Sequence, residues 1–133
     1  SILYLADNAG EIVFDQLLLE RLPEGRVTVA VRGAPILNDA TYADAVTVGL
    51  VRNYPVITNG SNAPGTILTD CSANFRKYFE AADLIIAKGQ GNYETLSDTD
   101  RPVAFALKAK CPVVADKLGC DVGTMVLHLA NAV

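Results

Sequence analysis

Apolar and polar positions alternate in blocks along the whole chain. Ile2 to Ala6 is a short unbroken apolar run, the pattern of a parallel strand buried on both faces. Gly10 to Leu22 reads as a helix, with Ile12, Val13, Leu17 and Leu18 on its buried face and Glu20 and Arg21 opposite. Pro23-Glu24-Gly25 ends it. Arg26 to Val31 alternates and is β-branched, predicting a second strand. Asp39 to Val48 predicts a weaker helix, with Asp39 placed to cap it. Val56 to Thr58, between Pro55 and Asn59-Gly60, predicts a third strand. Ser72 to Ala82 is helical, with Phe75 and Phe79 one turn apart, and Leu84 to Ala87 is a fourth strand. A fifth strand over Val103 to Leu107, a helix over Pro112 to Leu118 stopped by Gly119, and a strand over Met125 to Leu129 complete the pattern.

Strands alternating with helices imply βαβ units: an α/β domain with a mainly parallel sheet and right-handed crossovers. Ligands of such sheets bind outside the carboxyl ends of the strands, where the strand order reverses. The loops after the strands therefore carry the candidate chemistry. After the first strand comes Asp7-Asn8-Ala9-Gly10-Glu11, and after the second Arg32-Gly33-Ala34-Pro35-Ile36-Leu37-Asn38-Asp39. The third is followed by Asn59-Gly60-Ser61-Asn62-Ala63-Pro64-Gly65-Thr66 and the fourth by Lys88-Gly89-Gln90-Gly91-Asn92. Polar and glycine residues thus collect on one edge of the predicted sheet.

A carboxylate and an amide oxygen at Asp7 and Asn8 are hard ligands suited to Mg²⁺ or Mn²⁺, although both residue types also serve as plain helix caps. Gly10 lets the chain turn tightly, so that the N–H groups opening the next helix can face an anion. Asp39 brings a second carboxylate to the same crevice if the first two strands are neighbours; its other reading is again a cap. Lys88 can meet a phosphate oxygen as a point charge or stand as an ordinary surface lysine. The glycine pattern is neither a dinucleotide fingerprint nor a phosphate-binding P-loop, and no nucleophile elbow is present.

Composition narrows the classes. The 133 residues, half of them hydrophobic, suit a single domain. Eleven basic against fifteen acidic residues, a net charge of −4, leave no basic stretch for nucleic acid. No apolar run spans a bilayer and no signal peptide is visible, which points to a cytoplasmic protein. Cys71, Cys111 and Cys120 form no CxxC pair and read as buried free thiols, and the lone His128 reads as structural. Ser1 leads straight into an apolar strand, which suggests a piece of something longer.

The stretch Leu5-Ala6-Asp7-Asn8-Ala9-Gly10-Glu11-Ile12-Val13-Phe14-Asp15 resembles the signature of the metal-dependent damage-control phosphatases, long catalogued only as a domain of unknown function. Arg32 to Thr41 and Lys88 to Leu96 resemble that family's second and third motifs, and the likeness is nearest to its small archaeal and bacterial branch. The resemblance implies a Rossmann-like three-layer α/β/α domain holding one divalent metal ion, Mg, Mn, Co or Ni. It puts the metal on Asp7, Asn8 and Asp39, with Asp7 and Asp39 also catalytic. Gly10, Glu11, Arg32, Lys88 and Asn92 fall where phosphate or substrate contacts are expected. Gln90 stands where eukaryotic relatives carry an aspartate. The family also has a mostly helical N-terminal region that this chain lacks. The expectation is a metal-dependent phosphatase domain over residues 1–133 hydrolysing a small phosphorylated metabolite, a sugar phosphate or a damaged one. Its further partners would be a second copy of the chain or the missing N-terminal region, and neither nucleic acid nor membrane. The rival expectation is a non-catalytic, receiver-like phosphate-binding domain, since fold-level analogy does not determine function.

Overall fold

The computed structural model describes residues 1–132. Six strands form one sheet: β1 (Ile2–Leu5), β2 (Val27–Val31), β3 (Val56–Thr58), β4 (Leu84–Lys88), β5 (Val103–Lys108) and β6 (Met125–Ala130), in the order β3-β2-β1-β4-β5-β6. All pairings are parallel except β5 with β6. Helices α1 (Ile12–Leu19), α2 (Tyr42–Thr47), α3 (Ala73–Ala81), α4 (Gln90–Leu96) and α5 (Pro112–Leu118) make the crossovers. The order reverses between β1 and β4, which places the switch point between the Asp7 loop and the Lys88-Gly89 loop.

The unbroken apolar run of β1 follows from burial on both faces. Leu3 and Leu5 join a core with Phe75, Phe79, Ile85, Tyr93 and Phe105; Tyr4 and Ala6 join a second core with Ile12, Leu19, Val29 and Leu50. The sheet is thus the middle layer of three, and the α/β class expected from the sequence is found. Removing a side chain such as Phe79, wholly buried between α3 and the sheet, forfeits about 3–5 kcal/mol.

Four expectations need correction. The inward face of α1 is Ile12, Asp15 and Leu19, whereas Val13, Leu17 and Leu18 face outward with Phe14. A carboxylate takes the core-facing position because two polar partners meet it there. Asp39 does not cap α2. Thr41 does, accepting from Asp44 N–H while the Asp44 carboxylate accepts from Thr41 N–H, a reciprocal capping box. The segment after Lys88, which showed no clear helical pattern, is helical from Gln90. Of the three free thiols only Cys71 is fully buried; Cys111 and Cys120 are partly exposed. His128 is exposed on the edge strand β6, its ring stacked near Phe105, and takes no part in the carboxyl-edge crevice. No helix among the described residues is long and apolar enough to cross a membrane.

Candidate active site

Asp7 leaves the carboxyl end of β1, and the chain then folds against the loop after β2. Ala9 N–H donates to the Asn38 carbonyl and Ala40 N–H to the Asp7 carbonyl, at 2.8 and 2.7 Å. These two bonds bracket Asn8 and Asp39, which face each other as an isolated antiparallel bridge pair. In this narrow pairing the Cα atoms lie about 4.5 Å apart and both side chains leave on one side. The backbone itself therefore sets Asn8 beside Asp39. Asn8 Oδ1 accepts from Gly10 N–H at 2.8 Å and keeps a second lone pair.

Arg32 holds this corner from below. Its guanidinium is almost fully buried, with Nε donating to Asp39 Oδ2 at 2.8 Å and Nη2 lying 3.8 Å from Asp7 Oδ1. Nη1 reaches Thr66 Oγ1 and Asn92 Oδ1 at 3.5 Å, and Nη2 has no hydrogen-bond partner. Thr66 donates to Asn92 Oδ1 at 2.8 Å, and the Asn92 amide donates to the Lys88 carbonyl, also at 2.8 Å. Asn92 is itself buried, so it links the second, third and fourth loops beneath the crevice.

Asp7 bears the electrostatic load. Burial, then the nearby Asp39 carboxylate, push its pKa up to about 6, although Arg32 pulls the other way. Gly89 makes room for it: with φ at +85°, a Cβ there would land on the Asp7 carboxylate. Only glycine combines that backbone conformation with that close approach.

Across the switch point, Lys88 Nζ pairs with Glu11 Oε1 and, at 2.8 Å, with Asp15 Oδ1. Tyr4 donates its hydroxyl to the same Asp15 oxygen at 2.7 Å. Burial works against the Lys88 ammonium, but the hydrogen bonds to Asp15 and Glu11 outweigh it and hold its pKa above the ordinary lysine value. Burial and the Asp15 carboxylate keep the Tyr4 hydroxyl protonated well beyond the usual phenol range.

These groups border a cleft of about 450 Å³ between Asp7, Asn8, Glu11, Asp39, Gly65, Gly91 and Lys110. A second lobe of about 270 Å³ continues past Asp7 to Lys88, Gly89 and Lys108. Another depression, about 400 Å³, lies beside Gln16, Glu20 and Tyr54 near the amino ends of the strands, away from the converging charges.

Every residue proposed from the sequence for the metal or phosphate site thus lies at the carboxyl ends of the strands, but not in one role. Asp7, Asn8, Glu11 and Asp39 border the cleft and Lys88 borders its second lobe, while Arg32 and Asn92 are packed beneath it. Gly10 N–H is committed to Asn8. The sequence reading missed Asp15, Tyr4, Thr66 and Lys110. Asp15 left one signal, a charge three residues after Ile12 and four before Leu19 on what proves to be the buried stripe of α1. Gln90 was noted for its departure from a motif; its Oε1 accepts from Lys110 N–H at 2.7 Å and so anchors the loop that carries Lys110.

The donors fit a hard divalent cation. Among the described residues no three His, Cys, Asp or Glu side chains gather closely enough to hold a metal. The available set is two carboxylates and one amide oxygen, a sparse oxygen set typical of ions that retain several waters. Burial, and after it the Asp39 carboxylate, disfavour the ionised form of Asp7, and a cation at this point would favour it.

Comparison with known proteins bears on the fold and the family. A family model for the damage-control phosphatase ARMT1-like domain matches residues 1–126. An uncharacterized protein of Methanocaldococcus jannaschii is 50% identical over 132 residues, covering 95% of this chain and 43% of that protein. A damage-control phosphatase of Archaeoglobus fulgidus is 46% identical over 135 residues, covering 98% of this chain and 46% of the relative. The crystal structure of a DUF89 family protein from Pyrococcus horikoshii superposes with a TM-score of 0.91 at 42% identity, covering 99% of this chain and 47% of that one. The chain spans less than half the length of these relatives. It belongs to the damage-control phosphatase ARMT1-like domain family.

Proposed function

We propose that this domain carries the reaction centre of a divalent-metal-dependent phosphatase acting on small phosphorylated metabolites. The observation that carries the reading is the bridge pair that sets Asn8 beside Asp39 next to Asp7, at the switch point facing Lys88. A divalent cation on Asp7, Asn8 and Asp39 would polarise a phosphoryl oxygen and spread the charge of the transition state. Arg32 keeps Asp39 in position from beneath and is a positioning residue rather than a substrate contact. Lys88 supplies positive charge to the equatorial oxygens of the phosphoryl group. Asp7 stands where a carboxylate can either attack phosphorus or orient an attacking water. The Archaeoglobus fulgidus relative is named a damage-control phosphatase, which supports damaged phosphorylated metabolites as the substrate class.

The test is a screen of phosphorylated metabolites with Mg²⁺, Mn²⁺, Co²⁺ and Ni²⁺, with cation affinity measured separately by calorimetry. Turnover and cation binding that both disappear in Asp7→Ala and Asp39→Ala, with melting preserved, are expected. A stable phosphoryl-protein without phosphate release would instead favour a receiver-like role. Unchanged cation affinity in both variants would remove the metal assignment.

A further inference from the structure

Lys88 is held by two carboxylates in very different surroundings. Asp15 is buried, with its side chain 4% exposed, and is tied to Tyr4 as well as to Lys88. Its second oxygen, Oδ2, is buried without a partner. Moving Asp15 off Lys88 would leave a charged group stranded in the core, a costly step. Glu11 is different: its side chain is 37% exposed, it makes no other side-chain hydrogen bond, and it borders both lobes of the cleft. Lys88 and Glu11 both border the second lobe, so an anion entering it meets the Lys88 ammonium already paired with Glu11.

We propose that Glu11 is the displaceable counter-ion of Lys88 and Asp15 the permanent one, so that a phosphate group binds by exchange with the Glu11 carboxylate. This rests on the reading of the cleft as a phosphate site and adds how the site is kept ready. Without an anion, Glu11 is the second carboxylate on a largely buried Lys88 ammonium. When phosphate arrives, Lys88 trades one carboxylate oxygen for a phosphate oxygen. Its charge is retained throughout, because Asp15, itself held by the Tyr4 hydroxyl, stays paired with it. Glu11 then turns toward the cleft, where Lys110 borders both lobes and offers another cation. The two carboxylates on one lysine thus have separable roles, Asp15 positioning the ammonium and Glu11 competing for it.

The experiment is calorimetric titration of inorganic phosphate into the full chain, its Glu11→Gln and Lys88→Met variants and the double variant. Glu11→Gln should bind phosphate about tenfold tighter, about 1.4 kcal/mol. In the Lys88→Met background the same change should give no gain. Equal or weaker binding by Glu11→Gln overturns the exchange. An equal gain in both backgrounds overturns it too, since Glu11 would then only repel anions in general. A readout that needs no Lys88 variant is carboxyl ¹³C NMR of the parent protein. On phosphate addition the Glu11 signal should move and the Asp15 signal should stay; the reverse, or no movement of either, also overturns the proposal. Ester hydrolysis is scored separately. The expected phosphate pattern without turnover would leave the exchange standing and remove the phosphatase reading, whereas turnover without the pattern would remove only the exchange.

Discussion

Replacing Asp7 by asparagine should stabilise the metal-free protein while abolishing its activity. The side chain keeps its shape and loses its charge. Asp7 is only about one-fifth exposed and its pKa is about 6 in the fold, against an ordinary value of 3.8. At pH 8 the carboxylate is ionised in both folded and unfolded chains, and the fold bears the cost of that charge beside Asp39. A shift of this size corresponds to about 3 kcal/mol at 1.36 kcal/mol per unit. Solvent at the cleft edge screens part of it, leaving about 1–2 kcal/mol. For a chain of this length that is a rise in Tm of about 4–7 °C. The pH dependence has a definite sign. Between pH 6 and 4 the native protein holds a proton on Asp7 that the unfolded chain gives up. Parent stability therefore gains as pH falls through 6, reaching its full benefit near 4, and loses that benefit as pH rises again. The variant lacks this term. Thermal melts in chelator from pH 4.5 to 8 should show two curves closest at the acid end, separating as pH rises to 6 and running parallel above it. Adding Mg²⁺ should then raise the parent and leave the variant unmoved. A variant less stable than the parent at pH 8, or a gap that ignores pH, would refute the account of Asp7 as an under-neutralised carboxylate.

Two further outcomes follow from the same geometry. Gly89→Ala drives a methyl into the Asp7 carboxylate at a φ of +85°, so it should weaken cation affinity and cut kcat at least tenfold, while backbone strain costs about 1–2 kcal/mol of stability by urea unfolding. Retained cation affinity in a folded Gly89→Ala protein would show that Asp7 is not held where Gly89 admits it. Asp15→Ala removes a buried acceptor from both Tyr4 and Lys88 and should lower unfolding free energy by about 2–4 kcal/mol; a loss below 0.5 kcal/mol would mean that the buried pair contributes little.

Much of the fold was legible because a doubly buried strand leaves an unmistakable trace. The runs at 2–6 and 84–87 are continuous because helices cover both faces of the sheet, and the structure places strands there. Short helices were harder. Seven residues, with one glycine at the second position and another just ahead of the helix, give α4 little periodicity, and it forms because Tyr93 and Leu96 pack into the core beneath it. The phase of α1 was misjudged for a related reason. Its sequence offers two apolar stripes, and only the tertiary partners of Asp15, on β1 and β4, decide which one turns inward.

The candidate site divides along the same line. Asp7, Asn8, Asp39 and Lys88 could be read from the chain because hydrophilic residues at the carboxyl ends of buried strands have few places to go except a shared crevice. Their supports could not. Tyr4 lies within an apolar run, Thr66 in a loop of small residues, and Asp15 on a helix whose sequence offers two apolar stripes. Arg32 was visible as a charge, but charge alone does not say whether a guanidinium faces a ligand or underlies a carboxylate; its burial beneath Asp39 does. Sequence position thus tells which residues reach the crevice. Which of them meets the ligand is settled one level higher, by the depth at which each side chain finds its counter-charge. On that criterion Asp15 and Arg32 are foundations, and Glu11, whose side chain is more than a third exposed, is the carboxylate an anion would displace at least cost.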